Sequence, residues 1–370
     1  MTTFVLSGTG FWAPPEVISN DELVDAFNAW AESAGAEKSS SEFIVKASGI
    51  KRRHVIDRKG ILDPTIMAPR IAERPNEQQS LQCEMSLLAG REALAQANVA
   101  PESIDCVIVG CSNLQRSYPA VAVEVQNALG AKGFAFDMNV ACSTATFALT
   151  TARDLVAGGS ATRVLVVNPE ICSGHLNFRD RESHFIFGDA CTAMVVEKLD
   201  TCTAKEPWEI VSTKLTTKYS NAIRNNLGFL SRCAPEHRDD ADKLFVQEGR
   251  KVFKEVSPMV AELLTSHLDE TGIPRDSLKR LWLHQANQTM NQWIARKVLG
   301  RDPTEVEAPS ALDEYANTSS AGSMITFHLK RDDLAVGDVG LICSFGAGYS
   351  AGSVIVRKSS APSAVSGGQK

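Results

Sequence analysis

Cys142 stands in the segment Phe134-Ala-Phe-Asp-Met-Asn-Val-Ala-Cys-Ser-Thr-Ala-Thr-Phe-Ala-Leu149. The first half of this segment reads as a buried strand. The second half is small and apolar up to Gly158 and Gly159, and reads as a buried helix with a glycine stop. A thiol at the start of a core helix faces free amide N–H groups and the positive end of the helix dipole. It is therefore expected to ionise more easily. A thiolate in that place is a nucleophile aimed out of a strand–turn–helix elbow. Taken alone, a cysteine in such surroundings is equally well a small core side chain.

Other polar groups fall at the ends of apolar runs. His284 closes the strand-like Leu281-Trp-Leu and opens His284-Gln-Ala-Asn287. Its imidazole therefore emerges at a strand's C-terminal end, although a lone histidine is as often a hydrogen-bonded core residue. Asn317 lies in Tyr315-Ala-Asn-Thr-Ser-Ser-Ala-Gly322, where it also suits a helix N-cap. Ser344-Phe-Gly-Ala-Gly-Tyr349 reads as a tight turn between strands.

The elements that must position these groups belong to a globular α/β chain. Its 370 residues are 44% hydrophobic and 22% charged, a balance typical of soluble proteins. No apolar run approaches the length of a membrane span, and no signal peptide is visible, which points to the cytoplasm. Nine cysteines without Cys-x-x-Cys spacing argue against a disulfide framework and against a zinc site. A net charge of −6 gives no support to nucleic-acid binding. Ser19-Asn-Asp-Glu22 is a capping box, followed by Leu23, Phe27 and Trp30 at helical spacing. A helix is expected from about Gln82 to Gln96 and a strand over Cys106–Val109. Residues 54–80 read as a polar insertion, 204–242 as a strand followed by polar loops, and the tail from Ser359 as disordered.

The chain repeats itself. Val99-Ala-Pro-Glu-Ser-Ile-Asp-Cys-Val-Ile-Val109 matches Ile273-Pro-Arg-Asp-Ser-Leu-Lys-Arg-Leu-Trp-Leu283 at an offset of 174 residues, and the same offset relates Asn113 to Asn287 and Gly110 to His284. Phe187-Gly-Asp and Phe345-Gly-Ala each feed an apolar strand. Two similar halves follow, 1–200 carrying the cysteine and 201–358 carrying His284 and Asn317, with catalytic groups where their strand ends meet.

In this order, Ala141-Cys-Ser, Phe187-Gly-Asp, His284-Gln-Ala-Asn, Asn317-Thr-Ser and Phe345-Gly-Ala-Gly resemble the β-ketoacyl-acyl-carrier-protein synthase III family. The resemblance runs from Phe4 to about Val356. It implies a thiolase-like fold, two duplicated strand–helix halves in an αβαβα layering, and a homodimer. It implies an acyltransferase of fatty acid biosynthesis that needs no metal or cofactor. Such an enzyme loads an acyl group from a thioester onto Cys142, then condenses it with a decarboxylating malonyl thioester. His284 and Asn317 would stabilise the enolate, and the backbone N–H groups of Cys142 and Ala347 would form the oxyanion hole.

The same resemblance assigns binding residues and exposes departures. Phe43 and Arg181 fall where coenzyme A is contacted, and Phe345 borders the site. Tyr118 in Arg116-Ser-Tyr-Pro-Ala120 falls where an aromatic enters the partner's acyl tunnel. Arg296 and Lys297, with Arg301 near, fall where acidic acyl carrier protein docks. Ala47 and Thr289 replace arginines, and Ser143-Thr-Ala-Thr-Phe147 replaces a commoner small-Gly-Phe. The turn after Cys142, the insertion at 54–80 and the change at Ala47 favour a primer longer than acetyl. The alternatives are a condensing enzyme of secondary metabolism that joins a medium-chain acyl group to a 3-oxoacyl acceptor, a cysteine hydrolase, and a scaffold without activity.

Overall fold

The computed structural model describes residues 2–360. Nine strands form one mixed sheet: β1 (Phe4–Trp12), β2 (Cys106–Gly110), β3 (Phe134–Met138), β4 (Arg163–Ile171), β5 (Asp189–Lys198), β6 (Trp208–Ser220), β7 (Leu278–Leu283), β8 (Val339–Gly346) and β9 (Gly348–Lys358). Their order is β7-β8-β9-β6-β1-β5-β4-β2-β3. The seam between β1 and β6 is only two residue pairs long, Val5 with Glu209 and Leu6 with Trp208. Two sub-sheets therefore meet there.

Ten helices cover them: α1 (Asn20–Ala34), α2 (Ser41–Ser48), α3 (Arg58–Leu62), α4 (Leu81–Ala97), α5 (Val121–Leu129), α6 (Thr144–Ala157), α7 (Gly249–Thr271), α8 (Gln288–Leu299), α9 (Leu312–Tyr315) and α10 (Gly322–Leu329), counted among the described residues. Helix α6 touches β2, β4 and β5 on one side and β8 and β9 on the other. It is the middle layer, which is why its sequence has no broad polar face. Its residues Ala145, Ala148, Leu149 and Ala152 are fully buried between Ile108, Val166 and Met194 of one sub-sheet and Ile342, Val354 and Val356 of the other. Each fully buried Leu or Val of this kind is worth about 1.5–3 kcal/mol. Helices α4 and α5 close the outer face of the first sub-sheet, and α7 and α8 that of the second.

The repeat is visible in the backbone. A 3-10 turn at Pro101–Ser103 leads into β2, and another at Arg275–Ser277 leads into β7. The capping box at Ser19 and Glu22 forms, with both reciprocal hydrogen bonds in place. One expectation is corrected. β3 was expected to be buried, but Phe134 is 39% exposed, because β3 is the outermost strand and pairs only with β2. Within residues 54–80, read from the sequence as a polar insertion, Asp57 caps α3 and Ile61 and Met67 join the apolar cluster around Phe27, while the adjoining Arg52–His54 pairs with Val17–Ser19. The Ser/Gly/Pro-rich tail lies outside the described residues from 361 onward.

Candidate active site

The site is built where α6 begins. Val140, Ala141 and Cys142 make the elbow after β3. Ala141 takes φ +47°, a left-handed conformation that non-glycine residues adopt rarely. The bend is held from both sides: Val140 N–H donates to Thr144 Oγ1 at 2.9 Å and Ala141 N–H to Asn139 Oδ1 at 2.8 Å. The Ser143 hydroxyl reaches across to the Ser350 carbonyl at 2.9 Å, and Ser350 Oγ lies 2.8 Å from Ala347 O. The elbow at Cys142 and the β8–β9 turn are thus tied to each other. Gly346 in that turn has no room for a side chain. A Cβ there would lie 2.6 Å from Cys142 Cβ and 3.0 Å from Sγ.

The backbone N–H groups of Cys142 and Ala347 both act on the sulfur and favour its charged form, as does the Ser319 hydroxyl. Burial outweighs them and pushes the thiol up to about 11. Burial thus works against the easily ionised thiol expected from the helix start. The helix start does favour an anion, but this sulfur sits among low-dielectric neighbours and near the Glu170 carboxyl.

His284 follows the last residue of β7, and its N–H donates to the Cys343 carbonyl at 2.7 Å. Burial lowers its pKa to about 4, opposed only by the Ser319 backbone. The imidazole is neutral at pH 7, and its Nδ1 is buried without a hydrogen-bond partner among the described residues. Phe345 packs edge-on against the ring with centroids 5.1 Å apart. Asn317 does not cap a helix. It bridges to Phe187, with Asn317 N–H on the Ile186 carbonyl and Gly188 N–H on the Asn317 carbonyl. Its Oδ1 accepts from Ser319 N–H at 2.9 Å, which leaves Nδ2 as the donor that can face a ligand.

Two cavities meet at Cys142. One, of about 310 Å³, is lined by Cys142, His284 and Asn317 together with Phe43, Ala47 and Phe345. The other, of about 300 Å³, lies beside Ser112, Asn113, Leu114 and Ala347. Phe187, Ile223 and Phe245 border both. A nucleophile at such a junction can hold a group in one chamber while a second group enters the other. Neutral donors on the first chamber's wall can stabilise an anion there. Among the described residues no cluster of three or more His, Cys, Asp or Glu could hold a metal, and no helix is long and apolar enough to cross a membrane.

The remaining expected residues are scattered. Arg181 lies over the Phe43 ring, 4.4 Å from its centroid, and is held there by Glu37, Glu182 and the Lys38 carbonyl. Tyr118 is 84% exposed and lines neither cavity. Arg296 on α8 is paired with Asp302, Arg301 with Glu307, and Lys297 lies 5.4 Å from the Trp293 ring centroid. The basic patch is thus partly neutralised by its own neighbours. The first turn of α7, with Gly249, Arg250, Val252 and Phe253, also lines the first cavity, and sequence reading missed it. Its apolar spacing reads as ordinary core packing, and nothing in the pattern marks a cavity wall. Glu170 was missed as well, because it lies inside an apolar strand with no motif around it.

Comparison with known proteins gives the geometry its context. The 3-oxoacyl-[acyl-carrier-protein (ACP)] synthase III family matches residues 136–218, and its C-terminal family matches residues 268–358. A β-ketodecanoyl-[acyl-carrier-protein] synthase of Pseudomonas aeruginosa is 57% identical, over 92% of this chain and 97% of its own length. A β-ketoacyl-[acyl-carrier-protein] synthase III of Methylococcus capsulatus is 30% identical, over 95% of this chain and 98% of its own. The crystal structure of 3-oxoacyl-[acyl-carrier-protein] synthase III from Aquifex aeolicus superposes with a TM-score of 0.76 at 26% identity, covering 96% of this chain and 99% of that one. The fold is accordingly thiolase-like, and the chain belongs to the 3-oxoacyl-[acyl-carrier-protein] synthase III family, the condensing acyltransferases of fatty acid synthesis.

Proposed function

We propose that this chain takes a medium-chain acyl group from coenzyme A onto Cys142 and condenses it with malonyl-acyl carrier protein. The observation that carries the reading is the meeting of two cavities at Cys142, with His284 and Asn317 on the wall of one of them. The Pseudomonas relative is named for a β-ketodecanoyl product. Decarboxylative condensation adds two carbons, so a ten-carbon product needs an eight-carbon donor.

The steps follow from the residues. Cys142 Sγ attacks the donor carbonyl, the carbon–sulfur bond to coenzyme A breaks, and coenzyme A leaves as the thiol with the Cys142 proton. The acyl chain lies along the Ser112–Leu114 wall. The malonyl thioester enters past Phe43 and loses CO₂. His284 and Asn317 donate to the enolate oxygen, which a carboxylate in either place would repel. The enolate carbon attacks the acyl-enzyme carbonyl, and the N–H groups of Cys142 and Ala347 hold the oxyanion, at about 3 kcal/mol each by analogy with other such holes. Collapse expels the Cys142 thiolate and releases the 3-oxoacyl carrier. None of these steps calls for a metal or cofactor.

In this reading the chain is a cytoplasmic homodimer. Exposed Tyr118 and the half-exposed outer strand β3 are the surfaces that a second copy would cover. Phe43 and Arg181 contact coenzyme A, and Arg296 and Lys297 receive the carrier protein by long-range attraction rather than tight pairing.

The test is intact-mass spectrometry after incubation with acyl-coenzyme A of graded chain length. An octanoyl adduct should dominate and should vanish in Cys142→Ala. An acetyl adduct that forms tenfold faster, about 1.4 kcal/mol of preference, overturns the chain-length assignment. An adduct that survives Cys142→Ala overturns the nucleophile.

A further inference from the structure

We propose that the Ser319 hydroxyl is a further catalytic group, donating a hydrogen bond to the Cys142 sulfur both when the thiolate attacks and when it is expelled. The inference rests on Cys142 being the nucleophile. Ser319 Oγ lies 3.4 Å from Cys142 Sγ. The residue is 2% exposed, and among the described residues its hydroxyl has no other acceptor. A buried hydroxyl proton without a partner is costly, so this one is directed at the sulfur.

The placement is held against local preference. Ser319 takes φ +50°, and Ala316 takes φ 56° with ψ −158°, a region that is nearly reserved for glycine. Of the five non-glycine residues with positive φ among those described, Ala141, Ala316 and Ser319 all adjoin this site. What holds the strained turn is Glu170 on β4, in the other half of the chain. Its fully buried carboxyl accepts from Ser320 N–H at 3.2 Å and Ser320 Oγ at 2.5 Å, and from Ser112 N–H at 3.0 Å and Ser112 Oγ at 2.6 Å. Asn317 Oδ1 fixes Ser319 N–H from the other side. Glu170 is thus a positioning residue. The clamp spans both halves and leaves the Ser319 Oγ–H one direction to point.

The chemistry needs such a donor. Burial and the nearby Glu170 both disfavour charge on the sulfur. A neutral imidazole with a pKa of about 4 is a poor proton acceptor. A hydroxyl that donates to the thiolate favours the charged form in the first step and a better leaving group in the last.

The experiment measures the sulfur itself, without acyl substrate, so it is independent of the donor's chain length. The full chain is alkylated with iodoacetamide over a range of pH, and the Cys142 peptide is followed by mass spectrometry, which separates it from exposed Cys233. Ser319→Ala should raise the midpoint of alkylation by about one pH unit, a roughly tenfold slower reaction at any lower pH. Ser319→Gly removes the same hydroxyl in a conformation that glycine tolerates, so it should give the same shift even if the alanine variant folds poorly. An unchanged midpoint in Ser319→Gly, or a shift in the alanine variant alone, overturns the proposal.

Discussion

β2 and β7 occupy equivalent places in the two copies of the repeat, and they end differently. β2 ends at Gly110, where a Cβ would lie 2.8 Å from both Asn168 Nδ2 and Thr144 Cγ2. β7 runs into His284, whose ring lines the first cavity. One half therefore gives up a side chain so that α6 can sit close behind Cys142. The other half uses the same position to deliver an imidazole. The asparagines three residues on part in the same way: Asn113 lines one cavity and Asn287 the other. The scaffold is present twice, and the two strand ends diverge on either side of Cys142.

The comparison breaks most visibly at His284. His284→Ala should lower condensation by a factor on the order of 10²–10³, the usual loss for one donor to a developing oxyanion. Asn317→Ala should do the same and still form the acyl-enzyme. Equal loss of acylation and condensation in Asn317→Ala, read in single-turnover assays, would contradict the division of labour between the halves.

Gly110→Ala tests the opposite end. Its methyl group has no space against Asn168 and Thr144, and the overpacking should cost about 1–3 kcal/mol. Denaturant titration should show a lower midpoint with an unchanged slope. A variant as stable as the parent would show that α6 has slack behind it.

A further effect is shared by both halves. His175 and His184 in the first and His267 and His284 in the second are buried and lowered from 6.5 to about 4. The folded state resists protonating them while the unfolded chain does not. Their contribution to stability is complete above pH 6.5 and is lost as pH falls towards 4. Three carboxyls work in the opposite direction below pH 6: Asp189, pushed up to about 6 by burial, and Asp137 and Glu170, also raised by burial. Four imidazoles outnumber them, so the melting temperature should fall between pH 6.5 and 4. Because each half carries two of them, the transition should stay single. A melting temperature that is flat over this window would contradict the neutral assignment.

Much of this was legible in the sequence. The 174-residue repeat places β2 and β7, because a short turn followed by a buried parallel strand leaves a strong local pattern. Cys142, His284 and Asn317 stood out for the same reason: each interrupts or ends an apolar run. Helix α3 did not, because its five residues are too few to show a period. The thiol's true environment was hidden too. A helix start is local, whereas the burial that overrides it comes from residues such as Gly346 and Glu170, far away along the chain. Glu170 itself gives no signal, since an acid inside an apolar strand looks the same whether it is clamped or stranded.

The junction of two cavities at one sulfur has a consequence for small-molecule design. A thiol-reactive headgroup on Cys142 would have two directions in which to grow. An arm shaped like the donor's acyl chain would follow the wall made by Ser112, Asn113 and Leu114. An arm shaped like the carrier's thioester would enter past Phe43, Phe185 and Val252. A forked compound would draw its selectivity from both walls at once, even though its warhead alone would react with any accessible cellular thiol.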